Sequence, residues 1–282
     1  GILGYTFQEM NSRESSMENY GFDFDQFQTD NIGAGMALQQ GLASMDSYRS
    51  MSRYIAFFGR IMYNYNEKYL ASVSVRRDGS SKFGSDNKWG WFPAVSLGWR
   101  LNKESWFENA SNLSDLKLRA GFGVTGNNLG SDLRSVAMLS NGGTFWYNGA
   151  YVYTYGVSQN VNPDLRWEKS TKYNLGVDLE FFSGRLYGNV DAFYSRTDDL
   201  LYAKPVHATT GWTSLTSNIG SINNTGVELT VGGRIIDRDF KWDLSGNFSW
   251  GKNTLVKLLD DTDIIVVSHS QLFGGNKHAL II

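Results

Sequence analysis

The sequence predicts an all-β chain, nine strands of an antiparallel up-and-down transmembrane β-barrel segment. Three observations lead there: segments in which polar and apolar residues alternate, short and long connections that alternate between them, and aromatic residues gathered at the segment ends.

Composition narrows the classes first. The 282 residues contain no cysteine, which removes disulfides and thiolate metal sites, and the three histidines are scattered. A net charge of -2 argues against nucleic acid as the main partner, since phosphate binding needs a basic stripe. No apolar run is long enough for a membrane helix, but a membrane strand needs only about 9–11 residues with one apolar face. Aromatics make up 15% of the chain, beside 31 glycines and only 3 prolines. The chain opens without a leader-like segment and stops at Ile282, so a piece of a longer protein is expected.

Side chains on a strand alternate faces, so each strand with one greasy side shows a period of two. Residues 115–124 place Leu116, Leu118, Ala120, Phe122 and Val124 opposite Lys117, Arg119, Gly121 and Gly123. Residues 173–181 set Tyr173, Leu175, Val177, Leu179 and Phe181 against Asn174, Gly176, Asp178 and Glu180. Residues 242–250 set Trp242, Leu244, Phe248 and Trp250 against Asp243, Ser245, Asn247 and Ser249. Segments 69–75, 95–101, 186–194 and 227–235 follow with small lapses, 55–65 carries Phe58 and Met62 on the wrong parity, and 1–8 is a short ninth strand.

The connections carry more information than the strands. Tight turns fall at 64–68, 182–185 and 236–239, with a medium one at 102–114. Between them lie long polar, Gly-rich stretches at 9–52, 76–88, 126–166 and 197–220. Outer-membrane barrels have this form, short turns facing the periplasm and long loops facing outward. Tyr63, Tyr65, Tyr69, Trp99, Phe181, Tyr187, Trp242 and Trp250 sit at strand ends, where a membrane aromatic girdle is expected. Lys117, Arg119, Asp178, Glu180, Asp191, Glu228 and Arg234 share the polar parity and are expected to face the lumen. In a soluble sandwich the same residues would form a solvated surface.

No catalytic constellation emerges. The glycines of 121–128 lack a following helix and the phosphate-binding lysine, and Asp260, Asp261 and Asp263 lack the rest of a calcium loop. The expectation is therefore no enzyme, no cofactor and no metal.

Five stretches then resemble the SusC/RagA-like family of TonB-linked outer-membrane transporters. They are RIMYNYNEKYLASVSVRRDGSSKFG from Arg60, WGWFPAVSLGWRL from Trp89, LSDLKLRAGFGVTGNN from Leu113, NPDLRWEKSTKYNLGVD from Asn162 and INNTGVELT from Ile222. They occur in family order across most of the chain. The resemblance implies a barrel of roughly 22 strands around an N-terminal plug. It further implies energy supplied through TonB, a SusD-like surface lipoprotein as lid, outer-membrane lipid around the wall, and an oligosaccharide or peptide substrate. Plug, TonB box and closing strand are not in this sequence and are expected in the parent protein. Residues 1–258 are assigned to the barrel, and 259–282 to an extracellular loop or unplaced segment. Trp146, Tyr147, Tyr151, Tyr153, Tyr155 and Trp212, on the long connections, are candidate substrate contacts. A passive porin-like channel and a soluble β-sandwich carbohydrate-binding or adhesin module are the competing readings.

Open strand edges are not tolerated in hydrocarbon. The segment expressed alone is therefore expected not to give a heat-resistant monomeric barrel on detergent gels; obtaining one would contradict the barrel-segment reading.

Overall fold

The computed structural model describes residues 1–24, 30–107, 112–128, 134–135 and 137–257, and the backbone of 264–267 and 270–273. Strands follow in the order β1 (Ile2–Glu18), β2 (Ser44–Tyr65), β3 (Tyr69–Ser80), β4 (Trp89–Arg100), β5 (Leu113–Asn127), β6 (Leu139–Tyr147), β7 (Ala150–Val157) and β8 (Glu168–Phe181). They continue with β9 (Leu186–Asp198), β10 (Leu201–Pro205), β11 (Ser214–Asn218), β12 (Ser221–Asp237), β13 (Lys241–Lys257), β14 (Ile264–Val267) and β15 (Ser270–Phe273). Nine of them form one antiparallel sheet in the order β1-β2-β3-β4-β5-β8-β9-β12-β13. The other six pair as three side hairpins, β6–β7, β10–β11 and β14–β15.

The strands outrun the expected segments. β1 continues to Glu18 and β2 begins at Ser44, so much of the stretch taken as a 9–52 loop is paired strand. Its sequence hides this because Glu9–Glu18 has no apolar face; the ladder is held by backbone hydrogen bonds and by polar side-chain pairs such as Arg53–Glu9 and Arg49–Asn11. The 126–166 and 197–220 connections likewise contain the β6–β7 and β10–β11 hairpins. The first is announced by Asn148-Gly149, both with positive φ, the signature of a two-residue hairpin turn.

Register separates the faces. One row of opposed residues reads Tyr65, Tyr69, Trp99, Leu118, Val177, Val190, Leu229 and Phe248. The row beside it reads Asn64, Leu70, Gly98, Arg119, Gly176, Asp191, Glu228 and Ser249. The apolar face stays open: Ile61 is 70% exposed, Leu175 66% and Phe248 61%. No second layer covers it among the described residues. A membrane-facing wall has this surface; a soluble sandwich would bury it.

The rows also slant. Tyr63 and Trp250 lie in one hydrogen-bonded row, yet Tyr63 is two residues from the end of β2 and Trp250 nine from the start of β13. Strands tilted by about 35–45° carry such a row obliquely across a membrane. These two aromatics therefore stand at opposite levels of the wall.

The buried core lies at the long-connection end. Phe83, Phe92, Leu165 and Trp167 pack together, with Tyr54, Val124 and Leu201 against them. Trp167 donates its indole N–H to the Lys88 carbonyl at 3.0 Å, and Asn87 donates to the Asp164 carbonyl at 3.2 Å. Gly84 lies so close to the Pro163 carbonyl that a side chain has no room there. The β3–β4 and β5–β8 connections are thereby locked to each other. Trp167→Ala is expected to cost about 3–5 kcal/mol and to open residues 81–88 to limited proteolysis while the membrane strands stay protected. Unchanged cleavage at 81–88 would refute this lock.

Candidate functional site

Three surfaces carry the polar and aromatic chemistry. On the polar face, the Arg119 guanidinium on β5 reaches across two strands. It donates twice to Asp178 on β8 (2.8 and 2.9 Å) and once to Asp191 on β9 (2.9 Å). Asn189 donates a further bond to Asp191 at 2.8 Å, and the Lys117 ammonium lies 3.9 Å from Asp178. Gly176 sits between Arg119 and Asp191 in the row, and any side chain there would meet both. A glycine is needed for the arginine to cross. Glu180 and Glu228 share this face, and Arg234 pairs with Asp243 at 3.0 Å across β12–β13. All seven residues expected on the lumen parity therefore occupy one face.

The polar face holds one residue that was expected elsewhere. Tyr187, expected in the membrane girdle, has the parity of Asn189 and Asp191 and stands opposite Gly232, over which its ring lies. Its position beside a tight turn suggested an interface role, but the alternation along β9 overrides it. Phe58, an apolar residue of the polar parity, covers Gly4 in the same way. Rings laid over cross-strand glycines keep such sites covered without breaking the ladder.

Near the tight turns, the apolar face carries a chain of rings. Tyr63 stacks on Tyr65 (6.5 Å between centres), Tyr65 on Tyr69 (6.4 Å) and Tyr69 on Trp99 (6.3 Å). Glu104, in the β4–β5 connection, anchors them. One of its carboxylate oxygens accepts from the Tyr69 hydroxyl at 2.9 Å and from the Trp99 indole N–H at 2.8 Å. The other pairs with the Lys68 ammonium at 2.5 Å. The bond from Lys68, with those from Trp99 and Tyr69, holds the Glu104 carboxyl down at about 2, against the opposing effect of its burial. Phe181, Trp242 and Trp250 also take the apolar parity.

The β6–β7 hairpin is the third surface. From Leu139 to Val157 it carries no charged residue. Trp146 faces Tyr151 across the hairpin, rings 4.8 Å apart and edge-on. Tyr151, Tyr153 and Tyr155 alternate along β7 and share the Trp146 face, at intervals of about 6.6–6.8 Å. Tyr147 points to the other face with Phe145 and Val152. The ring edges and faces are open, Tyr151 being 72% exposed. Trp212 lies apart from this strip, in the turn before β11, where its N–H donates to the Thr210 hydroxyl at 3.3 Å. Among the described residues, no group of three or more His, Asp or Glu side chains is arranged to hold a metal. His269, His278 and Asp260, Asp261 and Asp263 lie outside the described residues.

Residues 3–277 match the family described as TonB dependent receptor-like, beta-barrel. This chain belongs to that family. It is 36% identical to the TonB-dependent receptor SusC of Bacteroides thetaiotaomicron over 83% of its own length, covering 24% of that protein. A TonB-dependent receptor of Formosa agariphila is 35% identical over 93% of the chain, again covering 24% of the relative. The fold matches the RagAB peptide transporter with a TM-score of 0.86 and 26% identity, over 98% of this chain and 30% of that one. The chain thus spans about a quarter of the length of its curated relatives. It is a segment of an outer-membrane β-barrel wall.

A carboxylate held this low is charged more readily in the folded protein than in the unfolded chain. Its contribution is complete above the ordinary range near 4.5 and is lost only as pH falls towards about 2. The Trp99 emission, taken as the difference between wild type and Glu104→Gln, is expected to stay constant down to about pH 3 and to change below it. A transition centred near pH 4.5 would contradict the anchored carboxylate.

Proposed function

We propose that this chain forms wall, lumen lining and outer loops of an active importer of large nutrients, oligosaccharide or peptide, in the outer membrane. The similarity to SusC over most of the chain, on a fold shared with the RagAB peptide transporter, is the observation that carries the reading. In this reading the tight turns face the periplasm and the side hairpins face outward. Residues 1–258 are barrel, and 259–282, which continue from the outer end of β13 and include the β14–β15 hairpin, are an outer loop. TonB supplies energy to the complete transporter, and a SusD-like lipoprotein closes the outer mouth. No bond is made or broken in the substrate.

Two features of the wall suit that task. The charged row of Lys117, Arg119, Asp178, Glu180, Asp191, Glu228 and Arg234 gives the lumen a hydrated surface whose charges are largely paired, so that it neither traps nor repels a neutral cargo. The neutral strip of Trp146, Tyr151, Tyr153 and Tyr155 offers rings at regular intervals to sugar faces or peptide side chains, with Tyr147 and Trp212 as contacts from other directions. Loops held on a rigid sheet are where binding residues are expected.

The test uses the complete transporter in cells. Replacing Tyr151, Tyr153 and Tyr155 together by Ala is expected to weaken substrate capture about tenfold or more with barrel assembly intact, and deletion of TonB is expected to abolish uptake. Uptake that persists without TonB would favour the passive channel. Capture unaltered in the triple variant would remove the hairpin from the substrate site.

A further inference from the structure

At the outer edge of the apolar face, one cation stands among exposed rings. Arg77 on β3 is opposed by Phe57 on β2 and Trp91 on β4, and its guanidinium carbon lies 4.7 Å from the Trp89 ring centre and 5.2 Å from that of Trp91. Phe57 stacks on Trp89 at 6.3 Å, and Tyr5 packs on Phe57 at 5.2 Å. Below this patch the same face is apolar, with Leu3, Val75 and Pro93, then Ile61, Val73 and Val95. Arg77 therefore marks the level where the hydrocarbon ends, and the indoles beside it are residues suited to that level.

Charge on the β1–β2 hairpin is divided by face. Continuing outward on the lipid-facing parity come Arg53, Arg49 and Arg13, with Glu9 as the accompanying carboxylate, paired to Arg53 at 2.7 Å. Arg13 and Arg49 are direct cross-strand partners, an arrangement of like charges that is unfavourable unless an anion lies between or beside them. The opposite parity carries Glu14, Glu18 and Asp46. Among the described residues no carboxylate pairs with Arg77, Arg13 or Arg49; the Arg49 side chain donates to Asn11 at 3.2 Å. A basic outward face above a lipid-facing apolar band is matched to a layer of negative charge at the membrane surface.

We propose that Arg77, held between Trp89 and Trp91, binds the phosphate of a membrane lipid headgroup, with Arg53, Arg49 and Arg13 extending the attraction outward. The indoles take up one orientation of the guanidinium, leaving its N–H fork free for phosphate oxygens. This inference depends on the lipid-facing placement of the apolar face and is independent of transport.

The test titrates lipid A, with and without its phosphates, onto the complete detergent-solubilised transporter and reads retained lipid by native mass spectrometry. The wild type is expected to retain the phosphorylated form about fivefold better, and Arg77→Gln is expected to remove that preference. Folding is checked by the heat-resistant gel band. If Arg77→Gln lacks that band, the double variant Trp89→Leu with Trp91→Leu, which keeps the charge and loses the cradle, is expected to show the reduced preference instead. Equal retention of both lipid forms by the wild type, or an unchanged preference in the folded variant, would overturn the site. Displacement of the lipid by millimolar inorganic phosphate would make it a free-anion site and overturn the lipid assignment.

Discussion

A backbone N–H or C=O left unpaired in hydrocarbon has no water to turn to, and each such group costs several kcal/mol. Strands in lipid must therefore pair continuously, and the pairing must hold its register, because a slip of one residue would send every polar side chain to the lipid face. The main sheet meets both demands. From β2 to β13 its rows run through without a change of parity in the membrane-level stretches, and the irregularities lie close to strand ends, between Leu113 and Asp115, Ser221 and Ile222, and Arg234 and Ile236. The two faces of the sheet, one carrying the charges and one apolar, are consequences of that register.

The same register explains how one arginine serves three strands. Arg119 and Asp191 fall in one row with Gly176 between them, and Asp178 is two residues along β8 from that glycine. The Arg119–Asp178 pair, with both side chains about one-third exposed, contributes modestly, while the Asp191 carboxylate is more buried. The two pairs also fix the relative positions of β5, β8 and β9. The slant of the rows then distributes the aromatics, so that Tyr63 near a tight turn and Trp250 far from one belong to the same row.

Away from the membrane the rules change. Beyond the stretches with an apolar face, β1 and β2 continue as a polar ladder, and the longer connections fold into hairpins. The buried cluster around Trp167 compensates for the absence of a core elsewhere, since the sheet has no second layer among the described residues. It ties the β3–β4 connection to the β5–β8 connection and leaves the β6–β7 hairpin projecting with both faces open.

The period of two, together with the alternation of tight and long connections, was enough to determine the fold class, the parity of all seven charged wall residues and the position of the tight turns. These are local or near-local properties, written into neighbouring residues. The same alternation, followed strictly through Asp191, already places Tyr187 on the polar face, and the Asn148-Gly149 pair already marks a hairpin. Tertiary structure alone decided how far the strands extend past their apolar-faced stretches, because a ladder without an apolar face leaves no periodic trace. It also decided that Arg119 reaches Asp191, that Glu104 anchors Tyr69 and Trp99, and that Arg77 stands between Trp89 and Trp91. Each of these contacts joins residues on different strands or connections, and their meeting depends on register and tilt, which no single segment of sequence contains.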